Sequence, residues 1–166
     1  MAGQSLKFPR EKVSAIYFAA PAKGAVANPL EDALRVLKGL QSAVNVGVTY
    51  GYFATRVTDA KIHLDQMLSG SPDGPAKTSL AEALGFYVYA ANAWNATITD
   101  DSNSREALGR NPLFDKRESL KGLAASYPGA SGRTTGLPIA TMSGVNRILN
   151  CASERIATAE RLIHGK

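Results

Sequence analysis

Toward the end of the chain, Met142, Val145, Leu149, Ala152, Ile156, Ala159 and Ile163 recur in alternating steps of three and four. Only an α-helix gathers residues so spaced onto one face, and the alternation is that of a bundle seam. A helix over about 138–163 therefore needs neighbouring helices to cover its seam. That demand shapes the reading of everything upstream.

The partners are legible from their starts and stops. Asn28-Pro29-Leu30-Glu31 combines a capping side chain, a proline with no amide to leave unpaired, and a carboxylate able to close a capping box. Leu30, Leu34, Leu37 and Val44 then mark one face. Helical pattern runs on to Leu68, which unbroken would make about 60 Å of helix, too long for a domain of this size. Asn45-Val46-Gly47-Val48-Thr49 offers the break: Gly47 can take the left-handed conformation and Thr49 can cap anew, with Val48 and Phe53 placed as a hydrophobic staple. The spacing predicts helices over 29–46 and 50–69 joined as a tight hairpin, with one kinked helix as the alternative. Phe53, Val57, Ala60, Leu64 and Met67 form the inner face of the second.

A third helix is expected over 79–99, opened by the capping box Ser79-Leu80-Ala81-Glu82 and apolar on nearly all sides through Leu84, Tyr87, Ala91, Trp94 and Ile98. Such a helix is the centre of a core or half of an oligomer interface. Pro9 followed by Val13, Ile16, Tyr17 and Ala20 suggests a short N-terminal helix, with an edge strand through 13–18 as the alternative. Residues 100–136 are irregular, with one short helix expected near 115–126, because so long a structureless run is unusual in a compact domain. The expected architecture is thus all-α: a four-helix bundle with a long crossover before its last helix, residues 1–166 forming one helical domain in which 1–8 and 128–136 are mobile.

Composition narrows the function classes more than it names one. The single cysteine, Cys151, excludes an internal disulfide and any cysteine-based zinc site. The net charge of +5 is spread along the chain, with bases interleaved among acids as in Arg10-Glu11-Lys12, so a nucleic-acid partner is not expected. Residues Ala83 to Thr99 carry no charge, but the run is short for a span and contains Asn92 and Asn95, so no membrane span is expected. No apolar run near the start resembles a signal core, which makes a cytoplasmic location the default expectation and an exported one the alternative if a leader has been removed.

Three sets of residues could carry chemistry. Tyr52, Phe53, Phe86, Tyr87 and Trp94, with Tyr50 and Tyr89 nearby, could line a pocket for an apolar or aromatic ligand; the plainer reading is core. Asp59 and His63 lie four apart on one helix face, a spacing that suits a metal or an oriented base but equally a surface pair. Arg133 and Thr134, in a Gly/Ser/Thr run ahead of the last helix, could hold an anion, although the phosphate-loop lysine and the preceding strand are both missing. Cys151 has no histidine near it in sequence, no serine sits in a nucleophile elbow, and no motif calls for a cofactor. Small residues repeat at Gly39 and Ala43 and at Gly51 and Thr55, as in closely packed helices or a dimer seam.

The strong features are thus caps and packing seams, while polar groups do not converge. The sequence leads to the expectation of a non-catalytic helical module that binds a protein partner or a second copy of itself. Binding of a small molecule by the aromatic cluster is the second expectation.

Overall fold

The computed structural model describes residues 28–99, 102–115 and 140–165, all in helices and short connections with no strand among them. The helices are α1 (Pro29–Val46), α2 (Tyr50–Ser69), α3 (Pro75–Thr99), α4 (Ser102–Gly109), α5 (Pro112–Asp115) and α6 (Met142–His164). The expected N-terminal helix, the mobile stretches 1–8 and 128–136, and nearly all of the helix expected near 115–126 lie outside the described residues.

The hairpin forms at the expected break. Asn28 accepts from the Leu30 amide at 3.1 Å, and Pro29 occupies the first turn of α1. Gly47 takes a positive φ of 89° but pairs it with ψ 122°, so the chain leaves α1 extended rather than left-handed helical. Thr49 caps α2 and accepts from the Tyr52 amide. Val48 and Phe53 both pack on the core, as a staple across the cap requires.

Two helix starts differ from expectation. α3 begins at Pro75, not Ser79: Gly74 accepts the Thr78 amide at 3.0 Å, and the supposed capping box lies a full turn inside the helix. Its members serve other ends. Ser79 is buried, and Glu82 reaches Arg155 of α6. Lys77 ties the α2–α3 turn by donating to the Ser71 carbonyl and the Asp73 carboxylate, each at 2.9 Å. α6 begins at Met142, not 138, because Thr141 is the residue that caps it, accepting from the Gly144 amide at 3.1 Å.

The core centres on α3, which touches α1, α2, α4 and α6, with its longest contact along α6. Ala83, Ala90, Ala93 and Ala96 of α3 and Gly144, Ala152 and Ala159 of α6 are all buried, so small side chains let these two helices lie close. Ile148 and Ile156 fill the space between the small positions. One hydrogen bond and one close approach extend the grip of α3: Tyr89 donates to the Leu108 carbonyl of α4 at 2.8 Å, and Gly85 admits Leu113 of α5, whose Cδ1 would lie 3.1 Å from an added Cβ. By contrast, a Cβ at Gly39 or Gly51 would meet nothing within 4 Å, so the small-residue repeats do not bring these helices together.

Candidate functional site

The aromatic residues singled out in the sequence separate into an inner and an outer set. Helical spacing turns Phe53 of α2 inward toward α3, where its ring lies 6.3 Å from Tyr87 and 5.6 Å from Trp94 between centroids. Tyr50 adds a contact to Trp94 at 5.9 Å. These tilted and edge-on pairings are the favoured ones for aromatic rings, and they leave Phe53 and Tyr87 each 1% exposed. Phe86 is also buried. Burial disfavours a phenolate and so raises the pKa of the Tyr87 hydroxyl above the ordinary tyrosine value. The rings therefore satisfy one another, and their arrangement is that of a packed core at the α2–α3 junction.

Tyr52 stands apart. One residue before Phe53, it points away from the core and is 49% exposed, with the Arg56 guanidinium 5.7 Å above its ring. It borders a shallow groove of about 540 Å³ at the tip of the α1–α2 hairpin, together with Ser42, Ala43, Val46, Val48 and Thr49. Val46 projects from the tip at 87% exposure. From Gly39 to Thr55 no residue carries a charge, and Trp94, which reaches this end from α3, lies in the uncharged run Ala83 to Thr99. The groove itself thus combines exposed apolar side chains with uncharged neighbours, Arg56 standing at its edge, which is the composition of the buried centre of a protein interface. The sequence signal for this, a long uncharged stretch that includes the turn, is visible once Tyr52 is assigned to the outer face.

The remaining candidates are dispersed. Asp59 and His63 both lie on the solvent side of α2, and among the described residues no three histidine, cysteine or acidic side chains gather as a metal site would need. Cys151 is buried at 1% exposure. Arg133 and Thr134 lie outside the described residues. A second depression, about 470 Å³, lies beside the start of α3 between Asp73, Lys77, Glu82 and Leu113. Its charges are already engaged: Lys77 with Asp73, and Glu82 with Arg155, whose Nε sits 2.8 Å from the carboxylate but is not aligned as a hydrogen bond. Among the described residues no helix is long and apolar enough to cross a membrane. Comparison with protein-family models, with curated proteins and with solved structures gave no match for this chain.

Proposed function

We propose that the chain is a four-helix bundle, formed by α1, α2, α3 and α6, that acts without catalysis, through contact with another protein chain. The observation that carries this reading is the outer surface of the α1–α2 hairpin. There Val46 and Tyr52 present apolar side chains to solvent around a groove whose own residues are uncharged, and Ile62 is exposed further along α2. Burying the groove removes apolar area from water, with Arg56 at its margin beside Tyr52, so a protein partner gains there what a polyanion does not. The packed aromatic core supports the same reading, since its rings already cover one another's faces and a ligand would have to displace them.

Native mass spectrometry on gently purified protein, compared with the denatured mass, tests it. The expected result is a multiple of the chain mass or the chain plus a second polypeptide. A monomer carrying a small non-covalent mass would overturn it in favour of ligand binding by the aromatic cluster.

A further inference from the structure

The partner for this surface can be read from the charges on α2. Phe53, Val57, Ala60, Leu64 and Leu68 bury one side of the helix, and Tyr52, Arg56, Asp59 and His63 follow one another at steps of four and three along a neighbouring strip, Arg56 half-buried and the other three exposed. Thr55 and Ile62 lie beside that strip, Ile62 at 55% exposure. Along the helix margin Lys61 is bonded to Asp65, so those two charges are already matched. Arg56 and Asp59 are not: among the described residues neither takes part in an ion pair, and Arg56 lies back over the Tyr52 ring instead of reaching forward to Asp59. A cation and an anion without ion-pair partners, one turn apart along the helix surface, form a pattern that is its own complement. When such a strip meets a copy of itself running the opposite way, each arginine faces the other copy's aspartate.

Resting on the reading of the chain as an interaction module, we infer that its partner is a second copy of the same chain, joined through α2 laid antiparallel on α2. The two-fold axis passes between Arg56 and Asp59, so that Arg56 of one protomer faces Asp59 of its partner and the reverse. The same register sets Tyr52 of each protomer opposite His63 of the other, and Thr55 near the axis leaves room for the helices to approach. This is an isologous contact, in which every pair occurs twice. A single helix face covers less than the about 800 Å² per partner typical of stable complexes, so the dimer is weak and in exchange with monomer. Because its ion pairs stay near solvent, it weakens as salt is raised.

Sedimentation velocity over a concentration series at low salt reads this directly, with circular dichroism confirming that each variant keeps its helices. The expected result is a reversible monomer–dimer equilibrium. Arg56→Asp or Asp59→Arg alone sets like charges face to face at both symmetric positions and weakens the dimer by about tenfold or more. Arg56→Asp combined with Asp59→Arg restores it, and the two single variants, each monomeric alone, associate when mixed. A dimer indifferent to both single reversals would reject this face while leaving self-association standing. A wild-type chain that stays monomeric throughout the series would reject self-pairing, leaving the broader interaction reading to be judged by whether a second polypeptide accompanies the chain in the native mass spectrum.

Discussion

At the scale of single residues, the glycines show how differently one residue type is used. Gly39 lies in the middle of α1 on an exposed surface, where an added Cβ meets nothing. Gly39→Ala is therefore expected to stabilise the fold by about 0.5–1 kcal/mol, because alanine restricts the unfolded chain and suits the helix. At Gly85 the same change presses on Leu113 Cδ1 at 3.1 Å, so the helix gain is offset by whatever α5 must yield. Urea midpoints of the two variants separate the cases: Gly39→Ala rises, and Gly85→Ala rises less or falls. In sequence the two glycines look alike. Only the path of the chain after α3 distinguishes them, and nothing local to Gly85 announces Leu113.

At the scale of elements, local chemistry marks some helix ends well and others poorly. The ends of α1 and α2 were legible because each signal has one use: Asn28 and Thr49 have nothing to do but cap, and Gly47 supplies the positive φ at the turn. The start of α3 was obscured because Ser79 and Glu82 match a capping box in spacing yet are drawn into tertiary roles, one buried and one set against Arg155. α4 was missed for a different reason. It is largely polar, and Leu108 is its buried apolar residue, so it has no periodic face to detect. What holds it is a tertiary bond, from the Tyr89 hydroxyl to the Leu108 carbonyl. Tyr89→Phe leaves that buried carbonyl without its donor and is expected to cost about 1–3 kcal/mol. Hydrogen exchange should show the loss concentrated in α4, with α6 amides keeping their relative protection. The candidate site was half legible in the same sense. Phe53, Tyr87 and Trp94 do meet, as their spacing implied, but they meet as core, and Tyr52 faces the other way because it is the next residue on a helix.

At the scale of the whole molecule, positive charge is unevenly distributed along the chain. The bases of the described helices are balanced by their carboxylates. The excess lies outside them, where Lys7, Arg10, Lys12, Lys23, Lys116, Arg117, Lys121, Arg133 and Lys166 outnumber Glu11, Asp100, Asp101 and Glu118. The helical core is governed by packing, and one buried neutral group gives it an alkaline pH response. Tyr87 is held protonated by burial, its folded-state pKa raised above the ordinary tyrosine value. A raised pKa means that the native state binds this proton more tightly than the unfolded chain. Its contribution is full below the unfolded value and is lost as pH rises beyond it toward the folded one. Stability measured by denaturant is therefore expected to fall on the alkaline side of about pH 10. Tyr87→Phe, which has no proton to lose, should flatten that decline. An equally steep decline in the variant would assign it to other groups.

Trp94 is the only tryptophan of the chain, wedged between Tyr50 and Phe53 where α2 meets α3. Its emission is thus a lamp fixed at a single joint, fed by the excitation energy of a neighbouring tyrosine and blind to most of α6. A fluorescence melt reports when that joint opens, whereas far-ultraviolet ellipticity counts every helix at once. If the two curves coincide, the molecule comes apart as a unit; if the lamp changes first, the hairpin lifts from α3 while the rest remains.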